Sequence, residues 1–138
     1  MVELKKVTFC SFIILSFLLL GCSDTGAAQN VPVEAVIHSI VEDETNSELS
    51  LSKVTEFSWE KAWLIEPYTT QESINDQLGT FYEDPSNIEQ RDDIYLLVFM
   101  NDTKVVSYAE IERQQCSLNI GAQDYLTPAE DTVFIDRH

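Results

Sequence analysis

Residues 94–100 read IYLLVFM, seven consecutive apolar side chains that include aromatic and β-branched types. The next three residues, Asn101-Asp102-Thr103, have side chains typical of a turn. Lys104–Ile111, KVVSYAEI, then returns with apolar residues at alternate positions. Two such runs joined by a short polar turn predict a β-hairpin over about residues 94–111. Because its first strand is apolar on both faces, we expect that strand at the centre of an antiparallel sheet.

The alternation in the returning strand predicts which side chains share a face of the sheet. Every second position gives one face with Val106, Tyr108 and Glu110, and an opposite face with Val105, Ser107, Ala109 and Ile111. We expect a short helix to cover one face of this hairpin.

That short helix is predicted over residues 70–78, before the hairpin. Thr69 and Glu72 have the spacing of a capping box, in which the two side chains satisfy free backbone N–H groups. Gly79 can end the helix in the left-handed conformation. The apolar residues expected to pack on the preceding strand are Ile74, Leu78, Phe81 and Tyr82.

A second helix is predicted over Pro32–Asp43. Proline is favoured at the first position of a helix. Apolar side chains recur along this segment at helical spacing, namely Val33, Val36, Ile37, Ile40 and Val41. The abundance of valine and isoleucine leaves a strand as the alternative.

Three further segments are candidate strands: Ala62–Ile65, Glu112–Ile120 and Thr132–Ile135. Pro67 follows the first of them and has no N–H to offer a β-ladder. The second fits a strand or a loop, and as a strand it would point Cys116 inward. Residues 49–57 fit either a short strand or a helical turn. Together these elements predict a small single α+β domain over residues 32–138.

The N-terminus has the pattern of an export signal. Lys5 and Lys6 precede an apolar run of 14 residues, Val7–Leu20, which is shorter than the roughly 20 residues needed to span a bilayer. The end of this run, Leu19-Leu20-Gly21-Cys22, resembles the lipobox of bacterial lipoprotein signal peptides. An ordinary secretory signal and an uncleaved membrane anchor are the alternatives.

The lipobox resemblance implies three parts of the chain. Residues 1–21 form a signal peptide that is removed, and Cys22 becomes the lipidated N-terminus, with a thioether-linked diacylglycerol and an acyl chain such as palmitate on the amine. Two or three chains anchor a protein stably, because each buried CH₂ contributes about 0.8 kcal/mol. Residues 22–31 are predicted as a flexible tether. The expected location is the cell membrane or the outer membrane, with the domain outside the cytoplasm.

A second resemblance lies in Trp59–Gly79, WEKAWLIEPYTTQESINDQLG. Its pattern W-x-x-x-W, then P-Y-T, then a short helix ending in L-G resembles a segment of small uncharacterised bacterial envelope lipoproteins. That pattern has no catalytic residues to carry over. The resemblance therefore implies a fold and a compartment and no particular activity.

The charge of the processed chain limits its partners. Removal of 21 of the 138 residues leaves six basic and 23 acidic side chains and a formal charge of about −17. Such a chain is repelled by nucleic acid and by anionic lipid headgroups, so no nucleic-acid partner is expected. The charge favours a basic protein partner, and solubility alone is the alternative explanation.

An intramolecular disulfide is excluded after processing. Cys10 leaves with the signal, Cys22 is lipidated, and only Cys116 remains. We expect Cys116 to be a buried, small apolar side chain. An intermolecular disulfide and a reactive thiol are the alternatives.

No catalytic, cofactor or metal site is predicted. The two histidines, His38 and His138, lie far apart and follow no nucleophile motif, and a glycine-rich phosphate loop is absent from the sequence. Glu83-Asp84 and the acids at Glu89 and Asp92-Asp93 have oxygen ligands that suit Ca²⁺, but they lack EF-hand spacing.

Aromatic side chains are the remaining candidates for a recognition surface. We expect Trp63 in the core, whereas Trp59 and Tyr68 are better surface candidates. The sequence thus predicts an acidic envelope lipoprotein that acts by binding and is not an enzyme. A more specific alternative is an inhibitor or immunity-type protein that neutralises a basic enzyme or toxin, and a hydrolase is a weaker one.

Overall fold

The computed structural model describes residues 26–113 and 116–138. Its helices are α1 (Val31–Glu42), α2 (Leu51–Val54) and α3 (Gln71–Leu78), with a 3₁₀ turn at Ile88–Gln90. Its strands are β1 (Ala28–Gln29), β2 (Glu48–Ser50), β3 (Lys61–Ile65), β4 (Ile94–Asn101), β5 (Lys104–Glu112), β6 (Cys116–Asn119) and β7 (Thr132–Arg137). The predicted signal peptide and Cys22 lie outside the described residues.

Strands β4 and β5 form the predicted hairpin, and β4 is an inner strand of a four-stranded sheet. The order is β1-β5-β4-β3, antiparallel except for the parallel pair β1 and β5. Every side chain from Ile94 to Met100 is buried. This burial follows from the sequence, because a strand that is apolar on both faces needs cover on both. The predicted central hairpin and α+β class are confirmed.

A second sheet, β2-β7-β6, packs with α1 over one face of the four-stranded sheet. The segments predicted as strands at Cys116 and Thr132 therefore form an antiparallel sheet of their own with residues 48–50. Leu51–Val54 form the short α2, so residues 49–57 contain both of the structures that their sequence allowed. Cys116 points inward and is buried, as the period-two spacing predicted.

Helix α3 covers the opposite face of the four-stranded sheet. Ile74 and Leu78 are buried against side chains of β3 and β4, together with Ile88 of the 3₁₀ turn. Gly79 ends α3 at φ 69°, the left-handed geometry that the sequence predicted. The predicted N-cap was wrong by one residue, because the Thr70 side chain accepts the capping hydrogen bond from the Ser73 N–H at 3.2 Å. The predicted capping box is therefore not formed.

A β-bulge changes the predicted faces of β5. Phe99 pairs with Ser107, but the next residue, Met100, pairs with Val105, so Val106 is an extra residue. Val105 consequently packs on the α3 side with Tyr108, whereas strict alternation placed the two on opposite faces. Ala109 and Ile111 lie on the α1 side.

The folded part begins earlier than the predicted boundary at residue 32. Ala28–Gln29 of the predicted tether pair with Ser107 and Tyr108 of β5. Asn30 caps α1, and its side chain accepts a hydrogen bond from the Val33 N–H at 3.1 Å. The predicted helix over Pro32–Asp43 is confirmed, and its buried residues are Val33, Ile37 and Val41.

Candidate binding surfaces

In the described part of the chain, none of the acidic residues is buried. Most basic side chains of the same part contact other groups of the chain. Arg91 forms ion pairs with Asp93 and Glu110, and Arg137 donates to the carbonyls of Asp43 and Asn46. Arg113 lies over the Tyr95 ring, and Lys61 lies over the Tyr125 ring. An approaching partner therefore meets a surface on which negative charge predominates.

The acidic cleft, as we name it, lies between α1 and β5 and has a volume of about 260 Å³. The acidic residues that line it are Glu34, Glu110 and Glu112, and its apolar wall includes Ala35, Val41 and Ile111. The side of α1 that faces β5 carries both polar and apolar side chains. Glu34 lies toward the solvent, and Val41 lies toward the core. Carboxylates around an apolar wall suit a lysine or arginine side chain, whose stem is apolar and whose end is cationic.

Glu34 positions the wall of this cleft. Its Oε1 accepts a hydrogen bond from the Glu110 backbone N–H at 2.8 Å and another from Gln29 Nε2 at 2.9 Å. The Glu34 side chain therefore joins the first turn of α1 to β5 and to the end of β1. A carboxylate in the first turn also interacts favourably with the positive end of the helix dipole.

Glu110 is half-buried and lies among several charges. Burial raises the pKa of its carboxyl; Arg91 opposes this rise, and the carboxylates of Glu34 and Asp84 add to it. Arg91 binds Asp93 through two contacts of 2.8 Å and reaches Glu110 at 3.2 Å. The hydrogen bonds to Asp93 raise the pKa of the Arg91 guanidinium, so this cation stays charged.

Glu110→Gln is expected to gain stability relative to the parent as pH rises. The folded chain holds the Glu110 proton more firmly than the unfolded chain, so ionisation of this carboxyl opposes folding. The stability that the protonated Glu110 carboxyl contributes is complete below its pKa in the unfolded chain, about 4.3. This stability is lost as pH rises through the higher pKa that the carboxyl has in the folded chain. Urea unfolding between about pH 4 and pH 7 measures the difference.

The matched control for this measurement is Glu130→Gln, which removes the same charge from an exposed turn. Subtracting its effect corrects for the change in net charge. A stability difference between Glu110→Gln and the parent that stays constant with pH would contradict the raised pKa.

Two of the acids considered for Ca²⁺, Asp84 and Asp93, hold the structure of their loop. Asp84 Oδ1 accepts the Ser86 N–H at 2.8 Å, and its Oδ2 accepts the Ile88 N–H at 2.8 Å. Asp93 is held by Arg91. Among residues 26–113 and 116–138, no group of three or more His, Cys, Asp or Glu side chains has a geometry that could hold a metal ion.

His38, the histidine of α1, lies between two carboxylates. Its Nε2 is 3.3 Å from Glu42 Oε1, and its Nδ1 is 3.9 Å from Glu112 Oε2. The arrangement places an imidazole at the rim of the acidic cleft. The second histidine, His138, has its Nε2 atom 2.9 Å from the Ser117 hydroxyl oxygen.

The predicted aromatic surface is only partly correct. Trp59 is buried, its ring packs edge-on against Phe99, and its Nε1 donates to Thr55 Oγ1 at 3.0 Å. Tyr68 is exposed, as expected, at φ 61°. Trp63, predicted for the core, is half-buried and lies against the Tyr125 ring.

Phe81 is the exposed aromatic that the sequence interpretation missed. It was expected to pack with α3, but 78% of it is exposed, while the adjacent Tyr82 is buried. Successive side chains of an extended segment point to opposite sides, so only one of two neighbours can reach the core. This alternation predicts that either Phe81 or Tyr82 is exposed, but it does not tell which of the two faces outward.

Phe81 borders a wide groove, which we name the turn groove. It has a volume of about 1010 Å³ and lies between residues 80–85 and the start of β5. Gly26 and Ala27 line it as well. Val106, the extra residue of the bulge, is exposed at the same place. The turn groove thus combines two exposed apolar side chains with the first described residues of the chain.

Cys116 offers no exposed thiol. Its side chain is buried, and burial raises the pKa of the thiol, although Arg137 and Arg113 oppose the rise. The neutral thiol is a poor nucleophile. The structure therefore agrees with the expectation of a small apolar core residue.

Comparisons with known protein families, with curated proteins and with solved structures found no match. In the part of the chain that the structure describes, no helix is both long enough and apolar enough to cross a membrane.

Proposed function

We propose that this chain is a bacterial envelope lipoprotein, anchored through Cys22, whose α+β domain acts outside the cytoplasm by binding. The observation that carries the proposal is the succession of a basic start, a 14-residue apolar run and Leu19-Leu20-Gly21-Cys22. The folded domain is compatible with this arrangement, because its first strand begins only six residues after Cys22.

Metabolic labelling with a fatty acid tests the anchor. We expect the parent chain to incorporate label and to sediment with membranes, whereas Cys22→Ser incorporates none and is released. Cys116→Ser is the matched control, because it removes a thiol that is buried in the domain. Label on the Cys22→Ser variant, or a native N-terminus elsewhere, would contradict the proposal.

The partner that best fits the domain is a basic protein. The formal charge of about −17 on the processed chain speeds encounter with a cationic surface through complementary fields. The acidic cleft supplies a specific contact, since it can receive one lysine or arginine side chain. An inhibitor or immunity-type protein that neutralises a basic enzyme or toxin is the specific form of this role.

A pull-down with a panel of cationic enzymes, at low and at moderate salt, tests the partner. We expect a binder whose affinity falls with salt and falls further in a Glu34→Gln, Glu112→Gln double variant. The control, Glu60→Gln with Glu130→Gln, changes net charge equally at exposed positions outside the cleft. Equal losses in the two double variants would contradict a role for the cleft, and a panel with no salt-sensitive binder would contradict a basic partner.

A further inference from the structure

The direction of β1 shows which end of the domain faces the anchor. β1 runs parallel to β5, with Ala28 beside Ser107 and Gln29 beside Tyr108. Going backward along the chain from Ala28 therefore leads toward the start of β5, where the β4–β5 turn lies. Gly26 and Ala27 line the turn groove together with Lys104 and Val105, which agrees with this direction.

The length of chain before Gly26 limits how far the anchor can lie from this end. Gly26 is four positions after Cys22, and four fully extended residue steps span at most about 14 Å. A lipid on Cys22 would thus hold the bilayer within this distance of the turn groove. The rest of the domain extends away from that end along the strands.

The end nearest the anchor carries the exposed apolar side chains Phe81 and Val106. Phe81 is 78% exposed, and Val106 extends from the bulge of β5. Both line the turn groove, and so does Lys104, the first residue of β5 after the β4–β5 turn. An aromatic ring, an aliphatic side chain and a lysine resemble in chemistry the residues that lie at a membrane–water interface.

We infer that the rim of the turn groove, formed by Phe81, Val106 and Lys104, rests on the lipid bilayer beside the anchor. This inference rests on the proposed lipidation of Cys22. Phe81 inserts among the headgroups, and Lys104 reaches the phosphate level. The domain thereby acquires a fixed orientation, with the acidic cleft left open to a partner in the aqueous phase.

The acids near this rim make apolar insertion the main source of the contact. Glu83 lines the same groove as Lys104, and Asp102 lies two positions before Lys104 in the chain. Both acids are exposed, so the rim has no excess of positive charge. Attraction to anionic lipid therefore cannot hold it. We expect the contact on neutral phosphatidylcholine, and we expect it to be insensitive to salt.

Spin labels measure this orientation on the lipidated protein in phosphatidylcholine vesicles. A nitroxide is attached at Phe81→Cys in a Cys116→Ala background, and the matched control carries it at Phe134→Cys, an exposed phenylalanine of β7. We expect the label at 81 to collide more with dissolved oxygen and less with a water-soluble nickel chelate than the label at 134. Removing the lipid with Cys22→Ser should abolish that difference.

Three results would overturn the inference. Equal chelate accessibility at 81 and 134 on a chain that mass spectrometry shows to be lipidated would overturn this orientation alone. A label at 81 shielded from both reagents would mean that protein, such as a second copy, covers the rim. Absence of lipid on Cys22 in native material would overturn the anchor as well, and so separates a failure of the proposed function from a failure of the orientation.

Discussion

Replacing Phe99 with alanine is expected to lower the free energy of unfolding by about 3–5 kcal/mol. Phe99 lies in β4 and is fully buried. Its ring packs edge-on against Phe57 at 5.0 Å and Trp59 at 5.6 Å between centroids. β3 and β5 are hydrogen-bonded to β4 on either side, so the backbone cannot close the cavity that truncation leaves. A domain of this size has a total stability of about 5–15 kcal/mol, so the loss is severe.

Urea unfolding measures this loss as a lower midpoint concentration of urea. The slope of the unfolding free energy against urea concentration should stay unchanged. Phe81→Ala is the matched control, because it removes the same side chain from an exposed site, and we expect a change within about 0.5 kcal/mol. Equal effects of the two substitutions would show that Phe99 does not pack as described.

Asp84→Ala is expected to lower the free energy of unfolding by about 2–3 kcal/mol, because it removes charged hydrogen bonds that hold the loop in which Ser86 and Ile88 are buried. The carboxylate accepts from the Ser86 N–H and hydroxyl and from the Ile88 N–H. These bonds place Ile88, which is fully buried, against β4 and α3. Without them, two backbone N–H groups lose their partners and the apolar contact of Ile88 is loosened.

The control for Asp84→Ala is Asp124→Ala, which removes one negative charge from an exposed position in a turn. We expect a change within about 0.5 kcal/mol for the control. Hydrogen exchange gives a second measurement, since the Ser86 and Ile88 amides should lose protection in Asp84→Ala. Retained protection would contradict the loop-holding role.

The central hairpin could be predicted because its signals are local. Seven apolar residues followed by turn residues and an alternating strand constrain the structure regardless of the remaining chain. The same holds for α1 and for the end of α3 at Gly79. The bulge at Val106 could not be predicted, because it adds one residue to a strand without changing the local composition.

The binding surfaces were less accessible to sequence reasoning than the fold. The acidic cleft brings Glu34 together with Glu110 and Glu112, both of which lie more than seventy positions after Glu34 in the sequence. Trp59 was expected at the surface because it borders a strand, but its ring packs against Phe99 in the core that the second sheet and α1 share with the four-stranded sheet. The proposed lipidation site is the opposite case, since its motif is contiguous and needs no tertiary contact.

The α+β class, the hairpin, the acidic charge and the lipobox pattern that motivates the proposed anchor follow from the order of the amino acids. These properties depend on composition and on neighbours within a few residues. Only the folded structure shows that the described residues form two sheets, that Phe81 faces out while Tyr82 faces in, and that the exposed apolar rim lies at the end where β1 enters. Such features depend on which distant segments meet, because packing between them outweighs local preference when a side chain can face either way.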